Sequence, residues 1–184
     1  MKKQILLILL CIVFSLPLSA KEADQKFYQE VQPLVEQFVQ GVLKEDSANW
    51  QKLCSPQEKF LFRYLGHYNT TLTCEELGGL YKEKKKRWWG RQDGSGQPLV
   101  GTFQKIWGTR FMDVAKKQDA IAINDFVKSG NMFNKSMDNT SFVDLTWKGS
   151  KEYDGMDWLS LRLFFVKKDN QWFLKGLDIY HWTI

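Results

Sequence analysis

Four polar residues interrupt otherwise apolar stretches near the C-terminus: Asp144, Arg162, Asp178 and His181. An aspartate or histidine held between apolar walls can act as a general base, because burial moves its pKa toward the working pH. An ion pair or exposure at a strand end would account for the same residues without catalysis, since an isolated buried carboxylate costs several kcal/mol. The candidate acid–base set is therefore Asp144, Asp178 and His181. His67 is the only other histidine. It follows a stretch read below as a helix, where it would complement the helix dipole. Two histidines cannot build a histidine-rich zinc site without carboxylates. The sequence has no nucleophile elbow, no paired-histidine metal motif and no glycine loop fit to cradle phosphate. Neither a metal nor a cofactor is expected, and the balance falls against an enzyme.

A second group of residues suits recognition. Lys84, Lys85, Lys86, Arg87 and Arg91 flank Trp88 and Trp89. Cations that meet an acidic protein or anionic lipid, with indoles buried at the contact, make an interaction surface. The bland alternative is a solvated loop whose two tryptophans fold back onto the core. Single-stranded nucleic acid would ask for the same residues, but a strongly basic footprint is missing.

The N-terminus bears on that choice. Lys2 and Lys3 precede an apolar run from Ile5 to Phe14, and Ser15 to Ala20 supplies a proline and small residues for cleavage. This is the pattern of a secretory signal, too short to span a bilayer. Removing these 20 of the 184 residues leaves 164, enough for one domain with a sizeable core. It also lowers 26 basic residues to 24 against 21 acids, a net charge of +3. The expected location is periplasmic or secreted, and nucleic acid is not an expected partner. Cys11 leaves with the signal, so Cys54 and Cys74 have one intramolecular pairing. Closing a loop of about twenty residues stabilises by roughly 3 kcal/mol in the chain-entropy model.

These groups must be positioned by the elements around them. Phe27, Val31, Leu34, Val35, Phe38, Val42 and Leu43 recur at helical spacing over residues 24–45, with Pro33 as a kink or a late start. A short helix from Ser47 carries Trp50, Leu53 and Cys54. Ser55-Pro56-Gln57-Glu58 reads as a cap and first turn, predicting a helix with Phe60, Leu61, Tyr64 and Leu65 on one face and Gly66 at its end. Thr73-Cys74-Glu75-Glu76 is a second capping box, so the disulfide would join two helices near their ends. Residues 82–98 read as an exposed loop or strand connection with a turn at Asp93-Gly94-Ser95-Gly96. Leu99 to Trp107 has strand-like residues with poor alternation, and residues 109–128 stay open between helix and strand.

The last forty residues are β. Val143, Leu145 and Trp147 alternate with Phe142, Asp144 and Thr146. Residues 158–168 and 171–182 flank Asp169-Asn170, a two-residue hairpin turn. Pairing about that turn puts Leu159, Leu161, Leu163 and Phe165 on a core face with Trp172, Leu174, Asp178 and Tyr180. Trp158, Ser160, Arg162, Phe164, Lys175 and His181 then fall on a mixed face, with Arg162 and Lys175 toward solvent.

Helices followed by antiparallel strands give an α+β order. With the helical block at 24–65 and the ending Trp158, Leu161, Arg162, Phe165, Lys168-Asp169-Asn170-Gln171-Trp172, Leu177 and Tyr180, the chain resembles the nuclear transport factor 2-like superfamily. The resemblance implies N-terminal helices over a curved antiparallel sheet that forms a cone with a pocket; the charged segment 82–98 departs from the minimal cone. For function, three expectations follow. The first is a non-enzymatic, exported protein that binds through its sheet and the loop bearing Lys84 to Arg91. Its partner would be an envelope protein, an exported toxin, or an anionic surface or lipid. The second is a small cone-shaped enzyme with an Asp/His pair, and the third a carrier whose surplus aromatics line a cavity. Eight tryptophans, all beyond the signal, exceed what a small core needs and motivate the last.

Overall fold

The apolar stripe near the N-terminus forms α1, Glu22–Leu43, in the computed structural model of the chain. The structure describes residues 22–66, 68–128 and 140–182, so the expected signal segment and His67 lie outside the described residues. Phe27, Val31, Val35, Phe38 and Val42 are buried along α1, whereas Leu43 is exposed. The helix runs through Pro33. Packing of the buried stripe on both sides of the proline supplies what one missing amide removes. A 3₁₀ turn, Ala48–Lys52, then stacks Trp50 on Phe38 with ring centroids 4.5 Å apart.

The helix expected after Ser55 is a strand. Phe60–Tyr64 forms β1 and Tyr68–Leu72 forms β2, paired antiparallel. In β1 the three aromatics Phe60, Phe62 and Tyr64 alternate with Leu61 and Arg63, and all three are buried in the main core. Aromatic alternation favours a pleated strand, and apolar residues at i and i+4 satisfy both periods, so the cap-like Ser55-Pro56 misleads. Gly66 (φ 73°) follows Leu65 (φ 50°) in the turn between β1 and β2, where it closes a hairpin and not a helix.

The second capping box holds. Thr73 caps α2, Cys74–Gly79, its hydroxyl accepting from the Glu76 amide while the Glu76 carboxylate accepts from the Thr73 amide. The Cys54–Cys74 disulfide ties the residue after Leu53, which caps the 3₁₀ turn, to the first residue of α2, with Cα atoms 5.6 Å apart. The charged segment that follows becomes a hairpin of β3, Arg87–Arg91, and β4, Pro98–Gly101. The strand-like stretch from Leu99 to Trp107 is strand only as far as Gly101 and then turns π-helical at Gln104–Gly108. The residues left open beyond it resolve into both states, α3 at Thr109–Lys117 and β5 at Ala120–Ile123.

β6 (Ser141–Trp147), β7 (Leu159–Lys168) and β8 (Gln171–His181) complete a curved six-stranded sheet of order β2-β1-β8-β7-β6-β5. The sheet is mixed instead of wholly antiparallel, because β1 lies parallel beside β8. Asp169 (φ 46°) and Asn170 (φ 66°) both take left-handed backbone at the β7–β8 turn, as a type I′ hairpin requires. The face assignment beyond that turn needs correction. A bulge between Phe164 and Phe165 shifts the register, so Phe165 pairs with Leu174 but Phe164 with Gly176, leaving Lys175 as the extra residue. A slip of one residue exchanges the two faces of a strand. Trp172 and Leu174 keep the core face, while Asp178 and Tyr180 move to the face of Arg162 and His181 moves to that of Leu161.

The core lies between one face of the sheet and α1, α2 and α3. Phe38, Trp50, Phe62, Trp89, Phe103, Trp107 and Phe111 pack there ring against ring. Much of the aromatic surplus therefore fills the interior.

Candidate functional site

The polar residues of the C-terminal strands fall into one row across the sheet. Arg63 of β1, Asp178 of β8, Arg162 of β7 and Asp144 of β6 are successive register partners, with alternating charge. Arg63 Nε donates to Asp178 at 2.7 Å and Arg162 Nε to Asp144 at 3.2 Å. Asp144, Arg162 and Asp178 are fully buried and Arg63 nearly so, so the expectation that Arg162 faces solvent is overturned. The row is solvated by the protein. Asp144 accepts from the Thr146 and Ser160 hydroxyls. Asp178 accepts from the Gly66 amide at 3.2 Å and from the Tyr180 hydroxyl. Burial pushes the Asp178 carboxyl above its ordinary value, against the pull of Arg63. The Arg162 guanidinium lies between the rings of Tyr180 at 3.8 Å and Phe126 at 4.1 Å. Its Nη2 donates to the Lys128 carbonyl, while Nη1 finds no acceptor among the described residues.

His181 stands apart from both aspartates. Its Nδ1 lies 2.7 Å from the Trp182 carbonyl and its Nε2 lies 2.7 Å from the Tyr64 hydroxyl. A carbonyl only accepts, so the neutral ring carries its proton on Nδ1 and Nε2 accepts from Tyr64. Burial holds the imidazole below its ordinary pKa, and Arg110 adds to this. Burial likewise pushes Tyr64 up to about 12. Both ring nitrogens are thus engaged, and the Asp/His pair expected for catalysis is not brought together: Asp144 and Asp178 occupy the other face of the sheet.

His181 does border an open pocket of about 310 Å³ at one end of the sheet. Arg110 of α3, Trp147, Met156, Trp158 and Trp182 complete most of its wall. Sequence reasoning missed Arg110, because residues 109–128 were open between helix and strand. It missed Arg63 as a partner because a helical reading placed no strand beside β8.

The basic segment divides into anchor and surface. Trp89 is fully buried and its indole donates to the Gly101 carbonyl at 3.0 Å, so it is not a contact residue. Arg87 is clamped by two bonds to Glu83, both 2.9 Å, and one to Glu76 at 3.1 Å. Lys85 pairs with Glu76 as well. Arg91 is exposed and donates to the Gly96 carbonyl within the hairpin. Lys84 and Lys86 are exposed. Trp88 is 45% exposed and lies opposite Val100, 53% exposed, on the outer face of the hairpin. Gly90 (φ +125°) lets β3 close on Tyr68, whose Cβ and Cγ would lie 2.7 Å from any Cβ added there.

No protein-family model and no curated protein matches the chain. Solved structures do. A nuclear transport factor 2-like protein of unknown function from Shewanella baltica aligns over 88% of this chain and 96% of its own, at 10% identity and TM-score 0.35. The layout weakly resembles that of such proteins. Another, from Silicibacter pomeroyi, aligns over 85% of this chain and 96% of its own, at 11% identity and TM-score 0.35. A protein of unknown function from Mycobacterium tuberculosis aligns over 88% and 76%, at 11% identity and TM-score 0.34.

Proposed function

We propose that the chain is an exported, non-enzymatic binding protein whose β3–β4 hairpin engages an acidic patch on a partner protein of the envelope. The observation that carries this reading is the exposed Trp88–Val100 pair on an otherwise anchored hairpin. Trp89 and the Arg87 clamp hold the strands, so Trp88 is offered at low entropic cost. A rigid exposed indole is the residue type that dominates contact energies. Lys84, Lys86 and Arg91 stand exposed around it without an acidic partner among the described residues. Their charge calls for carboxylates on the partner and speeds association at low salt. The Cys54–Cys74 disulfide suits the oxidising compartment that the N-terminal segment implies.

The test is capture from envelope extract with the wild-type protein and with Trp88→Ala and the Lys84→Glu, Lys86→Glu pair. Loss of the same captured protein in both variants, and in wild type at raised salt, supports the reading. Capture unchanged by Trp88→Ala sinks it. Binding of the wild type to anionic vesicles, with no protein lost in either variant, reassigns the hairpin to lipid.

A further inference from the structure

The pocket beside His181 carries two charges that form no ion pair among the described residues. Arg110 gives one N–H to the Ile106 carbonyl at 3.2 Å and lies 5.3 Å over the Trp107 ring. It forms no ion pair with any carboxylate among the described residues. Asp113, one turn further along α3, is taken by Lys117 at 3.0 Å. Across the pocket, Asp157 accepts from the Ser150 amide at 2.7 Å and also has no ion pair among the described residues. Burial works to raise its pKa, but the Ser150 hydrogen bonds, helped by the charge of nearby Lys117, hold it below its ordinary value, so Asp157 stays charged at neutral pH.

A cation and an anion thus line one concavity without meeting each other. Between them are apolar walls: Trp147, Trp158 and Leu159, with Met156 (48% exposed) and Trp182 (46% exposed) on the rim. His181 is fully hydrogen-bonded and acts as wall. The volume is at the small end of ligand pockets.

We infer that this pocket binds a zwitterionic small molecule with an apolar body, the chemistry of a free hydrophobic α-amino acid, with its carboxylate on Arg110 and its ammonium on Asp157. A ligand bearing one charge would leave the opposite protein charge unpaired and partly desolvated, which is why the zwitterion is preferred. The Lys117 ammonium already sits 4.5 Å over the Trp147 ring, so the ligand's cation goes to Asp157 and not to that indole. The indoles and Met156 take the side chain. This site is independent of the hairpin surface, and either can fail alone.

Calorimetric titration with three ligands tests it: L-phenylalanine, phenethylamine, which lacks the carboxylate, and 3-phenylpropanoate, which lacks the ammonium. Wild type should bind L-phenylalanine at least about tenfold more tightly than either analogue, as charge-assisted hydrogen bonds imply. Arg110→Gln should weaken L-phenylalanine to the level of phenethylamine and leave phenethylamine unchanged. Asp157→Asn, which keeps an acceptor for Ser150, should weaken L-phenylalanine and leave 3-phenylpropanoate unchanged. Trp182→Ala, at an exposed position, should weaken all three without changing their order. The proposal is overturned if neither L-phenylalanine, L-leucine nor L-tryptophan shows saturable binding up to about 10 mM, a Kd beyond which association is too weak to be specific. It is also overturned if the analogues bind as well as L-phenylalanine, or if the folded Arg110 and Asp157 variants weaken all three ligands alike.

Discussion

Asp144→Asn should be among the most damaging conservative changes in this protein. The asparagine keeps one oxygen and turns the other into an amide. If its oxygen faces the Thr146 and Ser160 hydroxyls, its NH₂ points at Arg162 Nε, donor against donor. If it flips, the hydroxyls can rotate but lose their acceptor. In either case the Arg162 guanidinium stays fully buried without the carboxylate it pairs with, and Nη1 already lacks an acceptor among the described residues. Removing one partner of a buried pair costs about 3–5 kcal/mol. For a chain of this size, each kcal/mol moves Tm by roughly 2–4 °C, so the loss is about 6–20 °C. Arg162→Met should cost less, because Asp144 keeps two hydroxyl donors. The double variant should then cost at least about 2 kcal/mol less than the singles summed, within the range for directly coupled residues. Urea unfolding of the oxidised protein measures all four corners of the cycle, and thermal melting gives the shift in Tm. A fall of under about 3 °C for Asp144→Asn, or simple additivity, would refute the view that the row of charges is a coupled unit.

Other outcomes are open to the same kinds of measurement. Thr73→Ala removes the hydroxyl that caps α2 and should cost about 1 kcal/mol in urea unfolding; Thr73→Ser should restore it. Glu76 is held down to about 2, first by the Thr73 amide and then by Lys85 and Arg87. Its contribution to stability is complete above its ordinary 4.5 and is lost as pH falls from there toward 2. Glu76→Gln should therefore flatten the stability profile in that window and leave it unchanged in shape above it. Gly90→Ala forces a Cβ against the Tyr68 ring in a left-handed backbone, and should destabilise by at least about 1 kcal/mol. Circular dichroism melting would expose a neutral outcome. Breaking the Cys54–Cys74 bridge should cost roughly 3 kcal/mol. Mass spectrometry of unreduced material showing two free thiols would remove the basis for that figure.

Legibility in the sequence followed the range of the interaction. The capping box at Thr73, the Asp169-Asn170 turn and the single cysteine pairing depend on residues close in sequence or on elimination, and each is present as read. The apolar stripe of α1 is present too, except that Leu43 stands exposed. Phe60–Tyr64 was misread because its aromatics satisfy helical and strand periods alike over five residues. Its pairing with β2 and its place beside β8, over a hundred residues later, select the strand. The same holds for the candidate site residues. Asp178 and His181 were placed on the wrong faces because one bulged residue, Lys175, exchanges the faces of β8, and nothing local marks it.

That two strands meet at Asp169-Asn170 was thus decided by the chain itself: consecutive left-handed residues commit the backbone to a tight turn before anything else packs. What lies across from what was decided only in three dimensions. Arg63, Asp178, Arg162 and Asp144 come from four strands, and their alternation exists only once the sheet order brings β1 beside β8. Arg110 and Asp157 share a pocket for the same reason. Charge pairing acts through space, and chain order holds no distance between residues that the fold has not yet brought together.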